Sequence, residues 1–210
     1  DRVAVIRAGE VIPQILRPVV EEGARRGPAF EMPTECPACG TPVERPVDEV
    51  MRYCPNVSCP GRILEGIVHF AGRDAMDIRG LGYERVRQLL EAKLIADVGD
   101  LYDLKVEQLV QLDRFAEQSA SQLVAAITAS RARPLSNLLF GLGIRHVGKN
   151  VAQLLARRFG TMAALQAASE EAITEVPGVG PSIAMAVSGF FAAPRNRTLV
   201  ERLARAGLRQ

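Results

Sequence analysis

The sequence predicts a mainly α-helical chain in which short helices recur in tight pairs, preceded by a small four-cysteine module and a β segment. Three observations carry that prediction. Apolar residues recur at helical spacing from Ile63 to Phe190. A five-residue turn signature returns four times along that stretch. Four cysteines fall within 24 residues, which in a reducing compartment fits metal ligands better than two disulfides.

Residues 1–20 come first. Val3-Ala4-Val5-Ile6-Arg7-Ala8-Gly9-Glu10-Val11-Ile12-Pro13 is rich in β-branched residues, with Gly9 dividing two apolar runs and Pro13 expected to end the second. A strand pair of this size cannot bury its own apolar face. The segment is therefore either an arm docked on the next module or the tail of a larger β domain, and we favour the tail. Residues 21–35 turn charged and are interrupted by glycine and proline (Glu21, Glu22, Gly23, Arg25, Arg26, Gly27, Pro28), as a linker is.

The cysteine module is placed at residues 36–61. Cys36-Pro37-Ala38-Cys39 pairs with Cys54-Pro55-Asn56-Val57-Ser58-Cys59, a C-x2-C and a C-x4-C separated by fourteen residues. Close-spaced pairs on two turns let two knuckles converge on one Zn(II), and Gly40 fits the first knuckle. Four thiolates saturate a tetrahedral ion and leave no position for water, so the expected zinc is structural. Free or disulfide-bonded cysteines are the alternative.

Beyond Gly61 the pattern is helical: Ile63, Leu64, Ile67, Val68, then Val86, Leu89, Leu90, then Leu123, Val124, Ile127, then Val151, Leu154, Leu155, then Ile183, Ala186, Val187, Phe190. Arg133-Pro134 divides this part into 62–132 and 133–210, because the residue before a proline is pushed out of the α region. Ala193-Pro194 opens the last segment in the same way.

Four stations align within it: Ile78-Arg79-Gly80-Leu81-Gly82, Leu112-Asp113-Arg114-Phe115-Ala116, Ile144-Arg145-His146-Val147-Gly148 and Val176-Pro177-Gly178-Val179-Gly180, at steps of 34, 32 and 32 residues. Each is apolar at its first and fourth positions, and all but the second end in glycine before a helix. Glycine supplies positive φ and lets backbone approach a partner closely. The following helix directs its free amides outward, an anion site strengthened by the helix dipole. In the second station Arg114 and Ala116 replace the glycines, so that turn is expected to serve packing, with the Arg114 side chain still able to reach phosphate.

These stations resemble the helix-hairpin-helix family, which binds DNA phosphates through hairpin amides with little base specificity. With a four-cysteine module in front, Arg7-Ala8-Gly9-Glu10-Val11-Ile12-Pro13 before that, and Gly141-Leu142-Gly143-Ile144-Arg145-His146-Val147-Gly148 in the third unit, essentially the whole chain resembles NAD-dependent bacterial DNA ligases. The resemblance implies that residues 1–20 are the last strands of an OB-fold, that the zinc module is a spacer, and that the hairpins hold nicked double-stranded DNA. It implies DNA contacts at Arg79, Gly80, Gly82, Arg85, Arg114, Arg145, His146, Gly148, Lys149, Gly178, Gly180 and Ser182, and metal ligation by Cys36, Cys39, Cys54 and Cys59. It also implies adenylation and BRCT domains outside this sequence, with NAD and magnesium used only by the parent enzyme.

The family's adenylated lysine stands in Lys-x-Asp-Gly. Lys93, Lys105 and Lys149 have no such setting, and the sequence contains no Asp-Gly dipeptide, so the chain alone is expected not to ligate. Gly143–Asn150 imitates a P-loop, but Asn150 stands where Ser or Thr would ligate magnesium, and a helical pattern precedes it instead of a strand. His69 reads as a packed or capping histidine, and Glu170 and Glu171 after Ser169 as the acidic first turn of a helix.

Composition bounds the partners weakly. A formal net charge of +2 barely favours nucleic acid, so a protein-interaction module and a non-ligase repair factor are the competing readings. The sequence has no apolar run long enough to span a membrane and no secretory signal at its start, and it reads as cytoplasmic, the ligase resemblance adding association with the bacterial nucleoid.

Overall fold

A computed structural model of the chain describes residues 2–9, 11–19, 27–46 and 49–210. Arg2–Ala8 (β1) and Ile12–Val19 (β2) form an antiparallel ribbon running from Arg2 opposite Val19 to Ala8 opposite Ile12, with an irregularity between Ala4 and Val5. β2 continues through Pro13 and Pro18, so Pro13 does not end the strand as its sequence suggests. Each strand of a two-stranded ribbon has a free edge, where a proline's missing N–H breaks no pairing. Val3, Val5, Ile6, Ile12, Ile15, Leu16 and Val19 are all exposed. Glu10 and residues 20–26, which include part of the expected linker, lie outside the described residues, while 27–33 has no regular structure.

Two isolated antiparallel bridges, Glu35 with Pro42 and Glu44 with Tyr53, pin the cysteine module. Helix α1 (Pro60–Ala71) begins directly after Cys59, before the boundary at residue 61 read from sequence, with Pro60 presetting its first turn. The chain continues through α2 (Tyr83–Glu91), a 3-10 turn (Asp100–Asp103), α3 (Val106–Leu109) and α4 (Glu117–Ser130). After Pro134 come α5 (Leu135–Gly141), α6 (Lys149–Phe159), α7 (Met162–Ala167), α8 (Glu170–Thr174), α9 (Pro181–Ala192) and α10 (Pro194–Arg205).

One apolar core runs through both helical halves, from Ile67, Phe70 and Leu89 to Leu138, Leu155, Val187 and Leu203. Gly141 sits where α5 meets α1, and a Cβ there would stand 3.2 Å from the Phe70 ring. His69 is packed at the same junction: its Nε2 lies 2.8 Å from the Phe140 carbonyl oxygen and its ring meets Phe140 edge-on. Arg133 and Asn137 donate to the carbonyls of Arg73, Asp74 and Ala75, tying the second half to the loop after α1. From the far end, Arg202 on α10 pairs with Asp97 at 2.8 Å and with Asp100, and the Arg209 amide donates to the Arg131 carbonyl.

Candidate metal centre and nucleic-acid interface

The two cysteine pairs converge. All four Sγ atoms lie within 4.8 Å of one another, with Cys36 to Cys59 at 3.8 Å and Cys39 to Cys54 at 3.5 Å. A disulfide needs about 2.05 Å between sulfurs. A tetrahedron of thiolates at about 2.3 Å from Zn(II) has edges of about 3.8 Å. The separations fit the ion and exclude the disulfide alternative.

Local sequence explains the convergence. Gly40, at φ 69°, closes the first knuckle by donating its amide to the Cys36 carbonyl at 2.8 Å. In the second knuckle the Asn56 carboxamide oxygen accepts from the Ser58 amide, and the Cys59 amide donates to the Asn56 carbonyl. The thiols are unequal. Hydrogen bonding to Thr41 lowers Cys39 to about 6, whereas burial pushes Cys54 up to about 12. Zn(II) would hold all four as thiolates, so binding at neutral pH releases the Cys54 proton and weakens as pH falls.

The four stations share one backbone. Their third residues, Gly80, Arg114, His146 and Gly178, have φ of 87°, 61°, 64° and 88°. In each, the amide of the fourth residue donates to the carbonyl of the first, at 3.2, 3.2, 3.0 and 2.9 Å. Ile78, Leu81, Phe115, Ile144, Val147, Val176 and Val179 are buried, and Leu112 is packed against the core. The fifth residue, Gly82, Ala116, Gly148 or Gly180, is extended and precedes α2, α4, α6 or α9. The second station thus keeps the turn despite losing both glycines. Residue type alone hid this, because a non-glycine in the left-handed region is uncommon.

Side chains cap only α7 and α8, and the hairpin helices share an uncapped start with α1, α3, α5 and α10. Thr161 and Ser169 side chains accept amides of α7 and α8. The hairpin helices begin at glycine or alanine, which carry no side-chain oxygen to cap with, so their first-turn amides are open to water or to an outside acceptor. The units are not equivalent. Glu84 and Glu117 stand in the first turns of α2 and α4, whereas α6 and α9 have no acid there. In the second unit Ser119 Oγ also takes the Ala116 amide at 3.0 Å.

The basic side chains expected at DNA all lie at or beside the hairpins, several of them engaged within the molecule. Arg85 donates to the Gly80 carbonyl at 3.1 Å and stacks over Phe115. Arg79 approaches Asp77 at 4.0 Å. Lys149 pairs with Asp74 at 2.7 Å, which holds that carboxyl below its ordinary value. Arg145 pairs with Glu49 and lies over the Tyr53 ring, joining the third hairpin to the cysteine module. Arg114, His146 and Ser182 are exposed. The P-loop imitation is dismissed by structure, since helix α5 occupies the place of the strand. Glu170 and Glu171 form the first turn of α8, as expected.

Fold and site define a tandem helix-hairpin-helix protein carrying a four-cysteine zinc module. Residues 35–60 match the family model of the NAD-dependent DNA ligase C4 zinc finger domain, residues 72–129 that of the SAM-like helix-hairpin-helix tandem, and residues 137–200 that of the helix-hairpin-helix motif. The chain is 54% identical over 209 residues to the DNA ligase of Gemmatimonas aurantiaca, covering 100% of this chain and 30% of that protein. It is 48% identical to the DNA ligase of Rubrobacter xylanophilus and 46% identical to that of Syntrophotalea carbinolica, covering 99% of this chain and 30% and 31% of theirs. The chain is similar to a zinc-finger and helix-hairpin-helix segment of NAD-dependent DNA ligases and spans about 30% of the length of these relatives. No helix among the described residues is long and apolar enough to cross a membrane.

Proposed function

We propose that this chain is the part of a ligase that grips nicked duplex DNA, without base preference, while the parent enzyme seals the break. The observation that carries the reading is the fourfold hairpin, one turn geometry delivering four helix N-termini with no capping side chain. Backbone amides at Gly80, Gly82, Gly148, Gly178 and Gly180 would meet phosphates, helped by Ser182 and by Arg79, Arg85, Arg114, Arg145, His146 and Lys149. Residues 62–132 and 133–210 act as two hairpin pairs, residues 36–61 hold a structural zinc, and residues 1–20 belong to an OB-fold. Adenylation with NAD and magnesium belongs to the parent's other domains, and the chain by itself does not ligate.

Fluorescence anisotropy with nicked and intact duplexes across a salt series, on samples of known zinc content, tests this. Log affinity should fall linearly with log salt concentration. A folded, zinc-loaded chain that ignores duplex at low salt would instead favour a protein-interaction module, a reading supported by the pairing of Arg145 and Lys149 with carboxylates.

A further inference from the structure

The third hairpin is the place where the chain competes with DNA for its own cations. Arg145 is the second residue of that turn and Lys149 the first residue of α6, the helix whose first turn carries no acid. Each is held by a carboxylate brought from far away in the sequence. Glu49 of the cysteine module, 96 residues earlier, binds Arg145, and Asp74 of the loop after α1, 75 residues earlier, binds Lys149 at 2.7 Å. Neither pair is the sole link in its neighbourhood. The cysteine module is also joined to the helical part by Arg195, which donates to the Val57 carbonyl at 3.1 Å. The Asp74 loop is also held by Arg133 and Asn137 through backbone carbonyls.

A carboxylate and a phosphodiester make the same demand on a guanidinium or an ammonium, namely charge-assisted hydrogen bonds to anionic oxygen. A cation seated on one cannot serve the other. Lys149 and Asp74 are 56% and 59% exposed, so that pair stands in water, while Arg145 and Glu49 are 46% and 29% exposed, so theirs lies at the water's margin; contacts in such surroundings are weak enough to be exchanged.

We propose that Glu49 and Asp74 are affinity-setting residues that occupy the phosphate-binding cations of the third hairpin and must be displaced when duplex DNA binds there. The inference rests on the DNA-gripping reading above. On binding, the phosphate backbone takes Arg145 and Lys149, and Glu49 keeps its Tyr53 hydroxyl partner. The cysteine module thereby loses its ionic contact with the hairpin while keeping the Arg195 one. The two carboxylates hold down affinity for isolated or sparse anions and yield to the closely spaced phosphates of a duplex.

The test is a coupling measurement on the full 210-residue chain with a nicked duplex at fixed low salt. Glu49→Gln and Asp74→Asn should each tighten binding, roughly 1.5- to 5-fold as exposed ion pairs allow. The gain from Glu49→Gln should vanish in an Arg145→Gln background, and that from Asp74→Asn in a Lys149→Gln background. Glu107→Gln and Glu201→Gln make the same charge change on α3 and α10 and control for net charge. Zinc content and far-UV circular dichroism confirm that each variant is folded. Gains that persist without the partner cation, or that equal those of the controls, would reduce the effect to overall charge and overturn the proposal. Wild type binding DNA with both variants neutral overturns this inference alone; no binding by any variant overturns the DNA-gripping reading and this with it.

Discussion

Arg114 and His146 stand in the left-handed region at φ 61° and 64°, where the first and fourth turns use Gly80 and Gly178. A side chain there crowds the following carbonyl, at roughly 1–2 kcal/mol for an L residue. Arg114→Gly should therefore raise unfolding free energy by about 1 kcal/mol after the entropy glycine adds to the unfolded chain, measurable by urea denaturation of the zinc-loaded protein. The fifth-position glycines are different. Gly148 and Gly180 have φ of −76° and −90°, and a Cβ on either would meet nothing within 4 Å. Valine at both should leave the melting temperature near wild type while weakening duplex binding, because only an approaching backbone would feel the added methyls. Unchanged affinity would remove the hairpin amides from the interface. Gly178→Val is no substitute, since φ 88° and Leu154 at 3.2 Å would strain the fold itself. At this scale the turn positions were legible from glycine and from apolar first and fourth residues. The pairings of Arg145 and Lys149 were not, because their partners lie 96 and 75 residues away and sequence periodicity carries nothing over such distances.

Among the elements, the long helices were legible from their apolar period, and of the short ones only α8 was, from Ser169 and the acids that follow it. α2, α4, α6 and α9 run 9, 14, 11 and 12 residues, enough for an apolar stripe to repeat. α3, α7 and α8 run 4, 6 and 5 residues, under two turns, and show no period. The ribbon strand through Pro13 was misread because proline ends central strands and not the edge of a ribbon. Acid placement also ranks the hairpin helices. Glu84 and Glu117 stand in the first turns of α2 and α4, so an incoming phosphate meets like charge from the helix itself there, whereas α6 and α9 carry no acid of their own and the carboxylates near α6, Glu49 and Asp74, come from other elements. Valine at Gly82 should accordingly cost less DNA affinity than valine at Gly148; the reverse order in a binding titration would contradict this ranking. The cysteine module is an element of its own kind, too small to fold without its ion. A strong chelator should abolish the signals of residues 36–59 in an NMR spectrum while the helical core keeps its far-UV signal. Zinc affinity should drop steadily as pH is lowered, because protons compete with the ion for all four thiolates.

At the level of the whole molecule the two helical halves are interlocked, which the Arg133-Pro134 boundary does not suggest. One core spans them, and α10 reaches back to Asp97 and Asp100. Burial raises the Asp100 carboxyl, but amides of Ala96 and Asp97 and the Arg202 guanidinium outweigh it and hold the group below its ordinary value. The sign follows. A depressed carboxylate contributes stability that is present above its unfolded value, near 3.8, and is lost as pH falls below it. Asp100→Asn should lower stability at neutral pH and flatten its decline in acid, as thermal melts from pH 6 to pH 2 would show. The helical part should melt in a single transition.

That closure also orders events in time. Residues 97 and 100 leave the ribosome about a hundred residues before Arg202, and the carbonyl of Arg131 precedes the amide it accepts, Arg209, by 78 positions. During synthesis the first hairpin pair therefore waits with its Asp97–Asp100 loop unclamped until the last helix has been made. A chain cut off near residue 190 should be far more open to proteolysis in that loop than the 210-residue chain, even though both contain every residue of the loop.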